Sequence, residues 1–217
     1  MDIEHVRHNM IEQQIRPWEV LDQRVLDLLS KVKREDFVPA VYQSLAFVDM
    51  EIPLGHGETM WSPKLEARAL QSLQIEATDR VLEIGTGSAY LTALLANMAA
   101  EVVSVEIEPE FKIEAERKLA AHGLNNVRLE QGDGAQGWQR GAPYDAIVLT
   151  GSTPVLPESI QAQLKLGGRL FAVVGEAPVM QAHLITRVGE SAWRDAVLFE
   201  TEIKSLRNAV QAERFVF

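Results

Sequence analysis

Arg80-Val-Leu-Glu-Ile-Gly-Thr-Gly-Ser-Ala-Tyr90 is an apolar run that stops at a glycine turn and gives way to a helix-compatible segment. Val81 to Ile84 read as a buried strand, Gly85 and Gly87 as the residues that let the backbone turn sharply, and Ser88 as the cap of a helix over 90–98. A glycine turn at a strand end lets a ligand touch the backbone, and amides at the helix start favour polar or anionic groups. The stretch therefore predicts a nucleotide-cofactor cradle. It departs from the dinucleotide fingerprint, which places a third glycine where Tyr90 stands.

Downstream the chain alternates strands and helices. Strands are expected over 80–84, 101–105, 127–131 and 144–149, with helices over 89–99 and 109–122, and this alternation predicts a doubly wound parallel sheet. A helix near 157–164, a turn at Gly167-Gly168 and a strand over 169–174 follow. Two more strands, 181–188 and 193–203, flank Gly189 and should pair antiparallel because so short a connection allows nothing else. The fold class is thus α/β: a doubly wound, Rossmann-like sheet, mostly parallel, ending in an antiparallel hairpin.

Upstream, Ile3, Val6, Met10 and Ile11 give an apolar stripe to a helix over 2–15 that Pro17 ends, and a second helix spans 22–32. Residues 51–63, punctuated by Pro53, Gly55, Gly57 and Pro63, read as an irregular loop, and loops on rigid scaffolds often carry function. The expected organisation is a helical cap with substrate loop, 1–78, packed on the core rather than independent, and a cofactor-binding α/β domain, 79–217.

Composition narrows the function. With 217 residues and 47% hydrophobic content the chain can bury a sizeable core. A formal charge of -10 argues against a nucleic-acid partner, because phosphate binding usually shows as a basic balance. The absence of cysteine excludes disulfides, thiolate zinc sites and thiol nucleophiles. No stretch approaches the length of a membrane span, and the amino terminus lacks a secretory apolar core, so a cytoplasmic protein is expected. His5 and His8 sit three apart, but no cluster completes a ligand set, and no metal is expected. Nothing in the sequence bears on oligomeric state.

Two acids stand where the chemistry should be. Glu106 ends the second strand about twenty residues after the glycine turn, the place from which a carboxylate holds ribose hydroxyls; the alternative is a surface carboxylate. Asp133, between Gly132 and Gly134, ends the third strand and either accepts from an adenine amino group or only forms a turn. The glycine turn, Glu106 and Asp133 should converge on one crevice. In the 51–63 loop, Thr59 and Ser62 are the candidate catalytic hydroxyls, and His56 is the only local base. Glu108, Glu110, Glu114 and Glu116 read as a solvated helix face.

With these residues laid out, the chain resembles the class I S-adenosylmethionine-dependent methyltransferases, and more narrowly the protein-L-isoaspartate O-methyltransferases. The resemblance is carried by Arg34-Glu-Asp-Phe-Val-Pro39, Ile52-Pro-Leu-Gly55, Gly57-Glu-Thr59 with Pro63, and Val81-Leu-Glu-Ile-Gly-Thr-Gly-Ser88. Ser104-Val-Glu106, Gly132-Asp-Gly134, Gly137-Trp138, Ala142-Pro-Tyr-Asp-Ala146 and Gln163-Leu-Lys-Leu-Gly-Gly-Arg-Leu170 add to it. It implies S-adenosyl-L-methionine as cofactor. Glu83, Gly85 and Gly87 would surround its methionine part, with Thr86 and Ser88 in the same turn. Glu106 would hold the ribose, and Asp133 with Gly134 the adenine. The implied acceptor is the free carboxylate of an isoaspartyl residue in a damaged protein, whose methyl ester promotes succinimide formation and return toward aspartate.

The departures from the family pattern are local. The family loop reads Gly-Gln-Thr-Ile-Ser-Gln-Pro; aligned on Gly57, Thr59 and Pro63, its serine position is Trp61 here, with Ser62 one place later, which predicts weakened transfer to an isoaspartyl peptide. Glu58 replaces the glutamine and adds a charge expected to repel an acceptor carboxylate. Ala89 replaces a glycine, tolerable at a negative backbone angle. Ser205-Leu-Arg207 stands where the family has Pro-Leu, and Arg207 is either a carboxylate-binding fork or an exposed arginine. Two other readings remain: a methyltransferase of the same fold with another acceptor, its pocket shaped by Trp61, or a non-catalytic S-adenosylmethionine-binding protein. Tyr90 and Gly-Asp-Gly disfavour a nicotinamide oxidoreductase.

Overall fold

The computed structural model of the chain describes residues 2–212. In chain order it forms α1 (Ile3–Met10), α2 (Gln23–Lys31), β1 (Ile52–Gly55), β2 (Glu58–Met60), α3 (Pro63–Leu73), β3 (Arg80–Ile84), α4 (Tyr90–Met98), β4 (Glu101–Glu106), α5 (Pro109–Ala121) and β5 (Val127–Gln131). There follow β6 (Tyr144–Leu149), a single-turn α6 (Glu158–Gln161), β7 (Leu164–Glu176), β8 (Val179–Gly189) and β9 (Ala192–Glu200). Among the described residues no helix is long and apolar enough to cross a membrane.

One seven-stranded sheet runs in the order β5-β4-β3-β6-β7-β8-β9. The pairs from β5 to β7 are parallel, and β7, β8 and β9 pair antiparallel, as the short connections require. From β3 the chain steps outward to β4 and β5, then returns to the other side of β3 as β6. That reversal opens a crevice at the carboxyl ends of β3 and β6, where open α/β sheets bind ligands.

The central strands read as continuous apolar runs because both of their faces are buried. Val81, Val102, Ala146 and Val148 enter one core, and their neighbours Leu82, Val103, Ile147 and Leu149 enter another on the opposite face. The first core also takes Met10, Ile15, Leu29, Leu70 and Leu73 from the amino-terminal helices. Those helices thus cover the sheet face that α4 and α5 also cover.

Several boundaries differ from expectation. The first helix passes into a π-helical turn, Ile11–Ile15, and closes in a 3-10 turn, Arg16–Trp18; Pro17 lies inside that turn, where its missing N–H costs nothing. The 51–63 segment is an antiparallel hairpin rather than an irregular loop. Gly55 pairs with Glu58 across His56 and Gly57, whose φ values of 52° and 75° are the pair a type I′ turn needs. Gly167-Gly168 is a bulge inside β7: Leu164 and Arg169 pair with Tyr144 and Ala146, so four residues are accommodated between partners that on β6 are separated by one. The expected helix near 157–164 is reduced to Glu158–Gln161, and β9 ends at Glu200.

Candidate active site

The cradle is built by the backbone. Gly85 has φ 97°, and a Cβ there would lie 2.1 Å from Thr150 Oγ1, so no side chain fits between the ends of β3 and β6. Thr150 fixes this wall by donating its hydroxyl to the Ile84 and Gly85 carbonyls, at 2.9 and 2.8 Å. Ser88 accepts from the Tyr90 amide at 3.2 Å, which satisfies one of the free donors at the start of α4. The N-cap itself is Ala89, and it is left-handed, φ 67°. The condition for easy tolerance, a negative angle, is not met; this alanine holds a conformation that costs an L-residue about 1 kcal/mol.

Glu106 is nearly buried at the end of β4. Its Oε2 accepts from the Gly87 amide and its Oε1 from the Glu108 amide, both at 2.8 Å. The carboxylate is thereby fixed against the glycine turn, and each oxygen keeps a lone pair for a ligand hydroxyl. Asp133 accepts from the Ala135 amide at 2.9 Å and from Asn208 Nδ2 at 2.9 Å. Gly85, Glu106, Asp133 and Gly134 line one chamber together with Leu206.

That chamber shares Gly85, Glu106 and Leu206 with a second, walled also by Thr59, Gly87, Thr150 and Gly151, and the second shares Thr59, Gly87 and Thr150 with a third, which includes Thr86, Ser88 and Glu66. Three sequence features separated by about fifty residues thus meet in one crevice. Glu83 does not reach it. It is fully buried behind the turn, where Thr92 and Ser104 donate their hydroxyls to its Oε2 at 2.6 Å, and its Oε1 has no partner among the described residues. Burial pushes the Glu83 carboxyl up to about 8, against the opposing pull of the two hydroxyls.

The hairpin forms the facing wall of the crevice. Thr59 lines the crevice and donates to Glu51 Oε2 at 2.8 Å, so its partner is Glu51 rather than His56. His56 instead bonds Glu110 at 2.8 Å and lies 3.7 Å from Glu108. Ser62 is the N-cap of α3 with its carbonyl accepting from Leu65 and Glu66, and it lines none of the three chambers. Trp61 is 5% exposed, borders two of the chambers and packs edge-on against Phe171 at 6.1 Å. Its Nε1 has no partner among the described residues. Beneath it, Arg34 donates to the Trp61 carbonyl at 2.6 Å and pairs with Glu66; burial pushes the Glu66 carboxyl up and the Arg34 guanidinium opposes the shift.

A strap, residues 201–209, lies over the crevice. Leu206 is inserted between Gly85 and Gly151, and its amide donates to the Ser152 carbonyl at 2.9 Å. Arg207 donates to Glu58 at 2.8 Å, to Glu108 at 3.0 Å and to the His56 carbonyl at 3.2 Å. It is neither a free fork nor a bare surface arginine, and Glu108 belongs to this network instead of a solvated face. Glu51, Thr150, Gly151 and Leu206 escaped the sequence reading. Thr150 and Gly151 carried a usable signal, since they follow β6, the strand at the switch point; Glu51 and Leu206 reach the site through contacts that no local spacing announces.

The sequence and the fold recur in known proteins. The sequence profile of the family described as Protein-L-isoaspartate(D-aspartate) O-methyltransferase matches residues 5–199. A curated relative named Protein-L-isoaspartate O-methyltransferase 1, from Rhodopseudomonas palustris (strain HaA2), is 44% identical over 169 residues, 78% of this chain and 69% of that one. A solved structure titled protein-L-isoaspartate O-methyltransferase superposes with a TM-score of 0.80 at 26% identity, covering 92% of this chain and 65% of that chain's length. A putative Plasmodium falciparum protein-L-isoaspartate O-methyltransferase in complex with S-adenosyl-L-homocysteine shares the fold, with a TM-score of 0.79 at 18% identity over 95% of this chain and 98% of the other. With a profile spanning both the hairpin and the crevice, the chain belongs to the protein-L-isoaspartate(D-aspartate) O-methyltransferase family.

Proposed function

We propose that the protein transfers the methyl group of S-adenosylmethionine to the free carboxylate of isoaspartyl residues in damaged proteins. The observation that carries this reading is Glu106, clasped to the Gly87 amide at the switch point with Asp133 in the same chamber. Two fixed acidic acceptors suit the ribose hydroxyls and adenine amino group of an adenosyl cofactor, with Gly85, Thr86, Gly87 and Ser88 shaping the turn and Gly134 beside Asp133. When bound, the cofactor supplies an activated methyl on a positively charged sulfur. Glu51 and Glu106 on the crevice wall favour that charge.

The chain's own residues have little proton chemistry to perform. A carboxylate acceptor is ionised near neutral pH, its ordinary pKa being about 3.5 to 4. Displacement at the methyl then depends on orientation and exclusion of water. Trp61, buried against Phe171, contributes an apolar wall that favours exclusion of water. Thr59, held by Glu51, presents its oxygen toward the acceptor side, whereas Ser62 acts through the start of α3. Glu83 supports the turn from behind. A cytoplasmic site of action and a protein rather than nucleic-acid acceptor belong to the same reading, supported by the cysteine-free, acidic chain.

Two measurements test it. Calorimetry should show S-adenosylhomocysteine binding and no comparable NADH binding, and Glu106→Gln should weaken the former about tenfold, the worth of a charge-assisted hydrogen bond. In a radiolabelled-methyl assay an isoaspartyl peptide should be esterified and its aspartyl counterpart should not. Trp61 at the serine position favours a second reading, an altered acceptor; cofactor binding with no transfer to the isoaspartyl peptide would select it.

A further inference from the structure

Glu58 presents an electrostatic problem that the strap answers. A carboxylate at this wall, beside Glu51 and Glu106, would repel an anionic acceptor. Yet Glu58 Oε1 receives two cations from the strap, Lys204 Nζ at 3.0 Å and Arg207 Nε at 2.8 Å. Both cations and Glu58 line the chamber that contains Thr59 and Gly87.

The cations are also held independently of Glu58. Arg207 Nη1 donates to Glu108 at 3.0 Å and Nη2 to the His56 carbonyl at 3.2 Å, so its guanidinium stays oriented if Glu58 leaves. Lys204 Nζ also donates to the Gly57 carbonyl. A pre-positioned guanidinium and an ammonium converging on one carboxylate oxygen, at the mouth of a methyl-transfer crevice, describe a carboxylate receptor with an internal carboxylate in it.

We propose that Lys204 and Arg207 form the receptor for the acceptor's carboxylate, and that Glu58 occupies it as a surrogate which the substrate displaces. The inference rests on the carboxyl-methyltransferase reading and deepens it. Exchange of one carboxylate for another keeps the charge of the chamber constant, so the incoming anion meets no added repulsion. Released Glu58 swings toward solvent, since the hairpin tip is exposed. Lys204 and Arg207 are thereby specificity-determining residues for an anionic acceptor.

A pure structural latch makes the opposite prediction about sign. If the Glu58 contacts only fasten the strap, removing either side loosens it, and Glu58→Gln, Arg207→Gln and Lys204→Gln all weaken the site together. If Glu58 competes with substrate, Glu58→Gln tightens acceptor binding while the other two weaken it. The experiment measures binding of a short isoaspartyl peptide to protein saturated with S-adenosylhomocysteine, by calorimetry, and KM in the radiolabel assay, with melting temperatures as a folding control.

The expected result is acceptor affinity about fivefold to tenfold lower in Arg207→Gln, lower in Lys204→Gln, and severalfold higher in Glu58→Gln, with S-adenosylhomocysteine affinity within about twofold of wild type in all three. Shifts of one sign in all three variants, or none, overturn the receptor assignment while leaving the isoaspartyl reading intact. A wild-type protein that neither binds nor methylates the peptide removes that reading, and the receptor with it.

Discussion

At the scale of single residues, the motif around the glycine turn divides into groups that face the crevice and groups that hold it from behind. Glu83 is the clearest of the second kind. Its carboxyl, raised to about 8 by burial, keeps its proton in the folded chain to a higher pH than in the unfolded one. The stability this contributes is fully present below the unfolded value near 4.5 and is lost as pH rises through about 8. Glu83→Gln retains an acceptor for the Thr92 hydroxyl and removes the ionisation. Wild-type melting temperature should therefore fall more steeply than the variant's between about pH 5 and pH 8; parallel profiles, followed by calorimetry, would show that Glu83 does not titrate there. Glu106 was legible as an acid ending an apolar strand, and Asp133 as an acid between two glycines just past the end of the next strand. Glu83 was misplaced because the same spacing that marks a cofactor motif also fits a buried residue bonded to the next strand and helix. Ala89 gives no local sign of its left-handed backbone, φ 67°, because alanine is not a residue that marks such a position.

At the scale of elements, the hairpin and the strap close the crevice from outside while the sheet supplies its floor. The central parallel strands β3, β4 and β6 were legible because burial on both faces leaves little room for polar residues. The hairpin was not, since its strands are four and three residues long and its turn uses His56 as well as a glycine. The strap was beyond local pattern altogether. Among the described residues it makes a single bridge, Ser205 with Ser152, and Leu206 is inserted where Gly85 and Gly151 leave room. A Cβ at Gly151 would lie 2.8 Å from the Leu206 amide nitrogen, a clash with backbone that no rotamer relieves. Gly151→Ala should thus lift the strap without touching the sheet core. Hydrogen exchange over residues 203–208 should quicken, and S-adenosylhomocysteine affinity should drop about tenfold, the cost of losing roughly one well-made contact. Unchanged exchange together with unchanged affinity would mean that the strap is not seated by this fit.

At the scale of the molecule, the division into a cap, 1–78, and a cofactor-binding part, 79–217, separates roles and not folding units; we propose that they fold as one. The core on one sheet face is shared, Met10, Leu29 and Leu70 packing in the same cluster as Val81 and Val102. The seam is also tied by polar contacts. Arg169 donates to the Leu73 and Gln74 carbonyls at 2.8 and 2.7 Å, while Lys118 donates to the Phe37 carbonyl at 2.7 Å. Without the cap, residues 79–217 would expose to water the part of that sheet face and of α4 that the cap helices cover, a loss that few domains survive. The fragment 79–217 should accordingly lack a cooperative thermal transition. The full chain should melt in one, and ligand binding at the crevice should stabilise the cap and the sheet together. S-adenosylhomocysteine at about 100 times its Kd adds roughly 2.7 kcal/mol, and at about 2–4 °C per kcal/mol for a chain of this size the single transition should rise by about 5–10 °C. Two calorimetric transitions, only one of them moved by the ligand, would instead establish the cap as an independent unit, and the hairpin's place over the crevice would then have to be explained by docking rather than by a common core.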